Sequence, residues 1–246
     1  MLEIRHLSYQ VTDEAGGELG ILNDVSLTIS DNRFVVITGP NGGGKTTLAK
    51  IIAGLETPSG GSIWLDGQDI TGLDVTQRAR LGIAYAFQQP VRFKGITVRM
   101  LLELAAGGSL KENEACAFLA KVGLCAREYI DREVNASLSG GEIKRIEIAT
   151  VLARGARLSI FDEPEAGIDL WSFSSLIDAF GELRGKLSGS LLIISHQERI
   201  LNIADEIIVI ADGGVRVSGP REDVLPKLLS GESFAGCPVM EGVGCK

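Results

Sequence analysis

Lys45 and Thr46 sit near the end of the run Gly39, Pro40, Asn41, Gly42, Gly43, Gly44, Lys45, Thr46 and Thr47, whose spacing could hold a triphosphate. That chemistry needs many donors in a small space. The glycines let the backbone curl with its N–H groups inward and leave no side chain in the way. A helix starting at once after the loop would aim its free N–H groups and partial positive charge at the anion. Lys45 would reach the β- and γ-phosphates, and the Thr46 hydroxyl would bind Mg²⁺. A second pair of candidates, Asp162 and Glu163, follows residues 157–161 (Arg-Leu-Ser-Ile-Phe), which read as a buried strand. Asp162 would hold the metal, directly or through water, beside Thr46, while Glu163 is suited to orient and polarise an attacking water. His196 ends another apolar run and could contact the γ-phosphate; taken alone it would be an ordinary strand-end residue. Tyr9 could stack on a base or be a plain strand aromatic, and His6 is read as plain.

These groups need a frame. Residues 34–38 (Phe-Val-Val-Ile-Thr) form a short β-branched run that reads as a buried parallel strand, and Leu48, Ile51, Ile52 and Leu55 then recur at helical spacing. Strand, glycine turn and helix are the context that the phosphate-loop pattern requires. Residues 2–9 and 21–29 read as strands around a Gly-rich, acidic turn, and with residues 62–65 they suggest a small antiparallel sheet. Short strands are expected at 82–87, 157–161, 190–195 and twice within 205–217. Helical spacing runs from Thr97 to about Arg132. It resumes from Glu142 to Arg154, where Ile143, Ile146 and either Ala149 or Thr150 share a face and the charged residues read as a solvated side. Helices are also expected at 170–186 and 221–229. The fold class is therefore α/β: a mostly parallel sheet core, a small antiparallel β-subdomain, and a helical subdomain inserted at about 90–154. Residues 1–229 read as one domain and 230–246 as a flexible tail carrying Cys237 and Cys245, whose spacing matches no common zinc or ferredoxin pattern.

Composition narrows the setting. Of 246 residues, 45% are hydrophobic, ample for a core, and the net charge of −8 argues against a nucleic-acid-binding surface. No apolar run approaches the ~18 residues of a membrane span, so no direct membrane insertion is expected. No secretory signal is visible, and four cysteines without close pairing suggest reduced thiols. The expected setting is cytoplasmic.

Several ordered motifs over roughly residues 2–229 resemble the ATP-binding-cassette ATPases. Residues 39–46 resemble the Walker A loop and residues 160–163 the end of Walker B; Leu138-Ser-Gly-Gly-Glu142 resembles the family signature. Gln88 matches the Q-loop glutamine, Asp169 the D-loop aspartate, His196 the switch histidine, and Tyr9 lies where the family places its adenine-stacking aromatic. The resemblance implies a P-loop NTPase that hydrolyses ATP with Mg²⁺. Glu163, His196 and Gln88 would be catalytic, with Thr46, Gln88 and Asp162 at the metal. Ser139, Gly140 and Gly141 open a helix, so they form a second anion site; in the family that site meets the γ-phosphate bound by the opposite subunit. A head-to-tail dimer closing on two ATP molecules follows from the resemblance, and hydrolysis would let the halves separate.

The signature ends in Glu142 where transporter ATPases usually have Gln, and the D-loop reads Glu165-Ala-Gly-Ile-Asp169. With residues 87–91, 140–145 and 196–201, these departures resemble the SufC-type ATPases of iron–sulfur cluster assembly, which serve a soluble SufB-type scaffold. That is the leading expectation for the partner. The alternative is the nucleotide-binding subunit of a transporter whose membrane permease is a separate chain. A nucleic-acid-binding cassette protein is a third class, disfavoured by the acidic balance.

Overall fold

The computed structural model describes residues 1–12, 16–89, 91–135, 137–184 and 189–230. The expectations for the tail with Cys237 and Cys245 lie outside the described residues.

The phosphate-loop strand is β3 (Phe34–Thr38), buried at every position. It lies between two parallel neighbours, residues Ser190–Ile194 and Glu206–Ala211, which are β8 and β9 in chain order. Beyond β8 come β7 (Leu158–Asp162) and then β6 (Ile83–Ala86), both parallel; β10 (Gly214–Pro220) closes the other edge antiparallel to β9. The order β10-β9-β3-β8-β7-β6 puts helices on both faces, so the inner strands are continuous apolar runs rather than alternating ones. Within β3 the two-residue period still decides the neighbours. Val35 and Ile37 join the cluster with α1 (Lys45–Ala53), whereas Phe34 and Val36 join the cluster with α6 (Gly140–Ala153) and α7 (Leu170–Arg184). On that second face the Phe34 and Phe161 rings both pack on Phe180, at 6.2 and 5.2 Å between centroids.

The small antiparallel sheet is present, with order β2-β1-β4-β5 over Glu18–Ile29, Leu2–Thr12, Gly60–Leu65 and Gln68–Asp69. Leu2, Ile4, Leu7, Leu22 and Val25 carry it onto the same apolar cluster as α1. A short helix that periodicity does not announce, α2 (Val75–Arg80), starts at a capping box between Asp74 and Gln77. Its Arg78 is buried and donates to the carbonyls of Ile51 (2.5 Å) and Ile52 (3.0 Å) at the end of α1, where the Ile51 oxygen also accepts the Gly54 N–H (3.1 Å).

Between β6 and β7 lie α3 (Val98–Ala106), α4 (Glu112–Lys121), α5 (Ala126–Tyr129) and α6. Ile143, Ile146 and Ala149 form a buried face of α6, as their spacing predicts. The charged side of α6 departs from expectation: Lys144 is 0% exposed. Its ammonium pairs with Glu147 at 3.3 Å, donates to the Phe87 carbonyl, and lies 3.4 Å from that of Gln88. The Phe87 N–H in turn donates to Glu147 Oε1 at 2.9 Å. A buried ammonium needs partners of this kind, and a periodicity count cannot supply them. Two further short helices, α8 (Glu198–Ile203) and α9 (Arg221–Leu229), complete the described chain; α8 has too few turns to show a period.

Candidate active site

Three adjacent strands deliver the candidate groups to one edge. β3 runs into Gly39, β8 into Ser195 and His196, and β7 ends at Asp162 with Glu163 immediately after. Backbone bonds lock the levels: the Ser195 N–H donates to the Ile37 carbonyl (3.1 Å) and the Glu163 N–H to the Ile194 carbonyl (3.0 Å). This is the carboxyl edge of the sheet, where open α/β folds place their ligands.

The glycine loop follows the path its composition allows. Gly39 has φ +133°, and a Cβ there would stand 2.0 Å from the Ile210 carbonyl oxygen, so no other residue fits between the loop and β9. Lys45 bends back over its own loop and donates to the carbonyls of Gly39 and Pro40, both at 2.8 Å. Burial pushes its pKa down, while Glu163 and Asp162 pull it up. A cleft of about 480 Å³ is lined by residues 41–47 with Ile21, Gln88 and Glu163.

Asp162 is 0% exposed and has both oxygens engaged, Oδ1 by the Thr46 hydroxyl (3.0 Å) and Oδ2 by the Tyr85 hydroxyl (2.9 Å). Burial raises its carboxyl above the usual range, and the Tyr85 and Thr46 hydrogen bonds oppose that rise. Tyr85 itself is held far above its ordinary value, by burial first and then by Asp162, so it remains a donor. A buried carboxylate at hydrogen-bond distance from the Thr46 hydroxyl, which lines the cleft, forms a hard oxygen set. It fits Mg²⁺, which takes one or two protein oxygens together with phosphate and water.

Glu163 has φ +47°, rare for a residue with a side chain, and costs of this kind concentrate at working sites. Gln88 Nε2 donates to its Oε2 at 2.7 Å, joining the two candidates across the cleft. His196 is exposed at the end of β8. Burial lowers its pKa, as does Lys45, with Glu163 opposing, so at neutral pH the imidazole is uncharged. The turn that carries it is held by Glu165, which accepts from the Ser195 hydroxyl at 2.5 Å.

The other candidates lie outside this cleft. Tyr9 pairs with Leu22, the neighbour of the cleft residue Ile21, but its ring is half-buried and its hydroxyl donates to Glu56 at 2.9 Å. Ser139 caps α6: its hydroxyl accepts the Glu142 N–H (3.2 Å), and Glu142 accepts the Ser139 N–H (2.7 Å). Gly140 and Gly141 follow as the first turn, and a Cβ on Gly141 would stand 2.9 Å from the Gly167 carbonyl. Asp169 accepts from the Ser172 N–H (3.0 Å) and hydroxyl (2.5 Å) at the start of α7. The signature and D-loop candidates thus adjoin each other, apart from the cleft. Tyr85 and Glu147 lie outside every motif, and Lys144 and Glu165 lie inside motif stretches that give them no contact of their own, because each is a polar residue in a segment whose pattern reads as apolar, solvated or loop.

The family description "ABC transporter" matches residues 22–166. This chain is an ABC ATPase. An uncharacterized ABC transporter ATP-binding protein of Methanocaldococcus jannaschii is 40% identical to it, over 85% of this chain and 86% of the relative. The sulfate/thiosulfate import ATP-binding protein CysA of Mesostigma viride is 32% identical over 85% of this chain, which spans 60% of that longer protein. Among solved structures, a dimeric post-hydrolysis ATP-binding cassette bound to ADP and Pi superposes with a TM-score of 0.81, covering 90% of this chain and 99% of that one; at 24% identity the likeness is one of fold. The ABC ATPase thus has the P-loop cassette architecture expected of it. No helix among its described residues is long and apolar enough to cross a membrane.

Burial also sets a pH dependence. Glu165 and Glu147 are held above the usual carboxyl range, chiefly by desolvation. A group whose folded pKa is raised stabilises the fold fully below its unfolded pKa and loses that contribution as pH rises through the folded value. Glu165→Gln should therefore flatten the fall of urea-unfolding stability as pH rises above the ordinary carboxyl range, relative to the parent. Taking the difference cancels the opposite contribution of His196, whose folded pKa is lowered. Parallel pH profiles for the two proteins would refute the assignment.

Proposed function

We propose that this ATPase is the nucleotide-binding subunit of a transporter, bound at the cytoplasmic face to a separate membrane permease. The observation that carries this reading is a set of exposed apolar side chains. Phe87, Val91 and Phe93 are exposed close to Gln88 in sequence, and Met100 and Leu104 are exposed on one face of α3, with Leu104 68% exposed. A partner seated there would touch the segment that holds Gln88. The names of the relatives support a permease over a SufB-type scaffold. What still favours the scaffold is the wording of two motifs, Glu142 and residues 165–169.

In this reading two copies close head to tail on two ATP molecules, each cleft completed by Ser139, Gly140 and Gly141 of the other copy, with Asp169 beside them. Residues 39–47 cradle the phosphates, and Lys45 exchanges its two loop carbonyls for the β- and γ-phosphate oxygens. Tyr9 stacks on the adenine. Glu163 orients the attacking water, Gln88 carries the state of the partner surface to it, and neutral His196 donates to the γ-phosphate. Mg²⁺, when bound by Thr46, Asp162 and Gln88, supplies charge neutralisation between the phosphates. Nucleic acid has no place in the scheme, given the net charge of −8.

The test is purification of the tagged full chain from detergent-solubilised membranes and from soluble extract of the producing cells. The partner should be a chain with apolar helices of ~20 residues. Phe93→Glu with Leu104→Glu should abolish its recovery and leave basal ATPase activity within about twofold, since both residues are exposed and neither lines the cleft. Recovery of a soluble β-rich scaffold instead would overturn the transporter reading.

A further inference from the structure

Tyr85 has no part in the scheme above, yet its hydroxyl is the second partner of Asp162. In the register of the sheet Tyr85 on β6 stands opposite Ile160 on β7. Asp162 lies two residues further along β7 and so projects to the same face as Ile160. The hydroxyl reaches Oδ2 at 2.9 Å, leaving Oδ1 to Thr46. The ring is itself braced. It packs edge-on against Phe87, with centroids 5.0 Å apart and planes at 80°, and the Phe87 backbone is held by Glu147 and Lys144.

We propose that Tyr85 is a positioning residue for the metal carboxylate: its hydroxyl pins Oδ2 of Asp162 so that Oδ1 is presented beside Thr46. The argument rests on the reading that Thr46 and Asp162 hold Mg²⁺. A buried carboxylate with both oxygens unengaged could rotate about its last torsion, and each orientation other than the productive one competes with metal binding. One fixed donor removes that freedom before the ion arrives. Hydrogen-bonded partners of metal ligands act in this way, and their loss typically weakens metal binding or activity by about 10–100-fold. The alternative is that the hydroxyl only satisfies a buried acceptor and that Tyr85 contributes packing alone.

The experiment uses the full chain as the wild type, Tyr85→Phe, Asp162→Asn and the double variant. Each is loaded with ADP and titrated with Mn²⁺, followed by the electron paramagnetic resonance signal of the ion, after correction for Mn²⁺ bound by free ADP. ADP affinity is measured separately in EDTA. Tyr85→Phe should weaken Mn²⁺ binding about tenfold, leave ADP affinity in EDTA unchanged, and raise the Mg²⁺ concentration needed for half-maximal ATPase activity while preserving kcat at saturating Mg²⁺. Asp162→Asn should weaken Mn²⁺ binding at least as much, and adding Tyr85→Phe to it should change nothing further, because the hydroxyl acts only through that carboxylate. Unaltered Mn²⁺ binding in Tyr85→Phe, with Asp162→Asn impaired, overturns the proposal and leaves the metal reading standing. Unaltered binding in Asp162→Asn overturns both. Loss of ADP affinity in EDTA for Tyr85→Phe would make its role one of packing and likewise overturn the proposal.

Discussion

Glu163→Gln is expected to slow steady-state ATP hydrolysis by about 10²-fold or more while leaving the fold and ATP binding intact. The carboxylate follows directly on β7, at φ +47°, and Gln88 Nε2 meets it at 2.7 Å. Glutamine preserves the shape of the side chain but cannot polarise a water as a carboxylate does. In the head-to-tail reading the ATP-bound dimer should then accumulate, because the γ-phosphate proposed to bridge the two half-sites is no longer removed. Sedimentation with Mg-ATP should show a dimer for Glu163→Gln, and the parent without nucleotide should sediment as a monomer. Hydrolysis at the parental rate would remove Glu163 from the water-orienting role, and a tight nucleotide-free dimer would contradict the bridging scheme.

Lys144→Ala should be the most destabilising change in the signature helix, by about 3–5 kcal/mol, the typical cost of removing one partner of a buried ion pair. It leaves Glu147 unbalanced and takes a donor from the carbonyls of Phe87 and Gln88. Urea unfolding monitored by far-UV circular dichroism gives the loss. Lys144→Met combined with Glu147→Leu should recover most of it, since apolar residues of similar volume replace buried pairs well. A loss below ~1 kcal/mol for Lys144→Ala would mean that water reaches the pair and that its burial counts for little.

The phosphate loop and the Asp162–Glu163 pair are legible because each is a contiguous run whose residue types have few other uses, set behind a short, mostly apolar strand. Short elements were illegible for want of turns: α2 declares itself by the Asp74–Gln77 capping box and by what Arg78 does for α1, not by periodicity. Lys144 was misread because a lysine on a helix is normally solvated, and the carbonyls that receive it belong to a loop more than fifty residues earlier in the chain. Partner class was the least legible of all. The scaffold expectation leaned on Glu142, yet in the structure Glu142 closes a capping box with Ser139 and accepts from the Tyr129 hydroxyl. Starting a helix well is a local task that a subunit of either kind needs, so the residue says little about what the protein binds.

The clamp between α6 and the loop before Gln88 has a thermodynamic corollary. Ser139 caps α6, and between one and just over two turns later Lys144 and Glu147 hold the backbone of Phe87 and Gln88, beside the exposed apolar side chains. In the head-to-tail reading, whatever docks there and shifts Phe87 and Gln88 shifts α6 with them, and so alters the half-site proposed for the other copy. Linkage then runs in both directions by the same factor. A docked partner that makes ATP hold two copies more tightly must itself be held more tightly by the closed pair. If it loosens that grip, hydrolysis is what restores its affinity. The sign of that one coupling decides whether the spent nucleotide releases the partner or retains it.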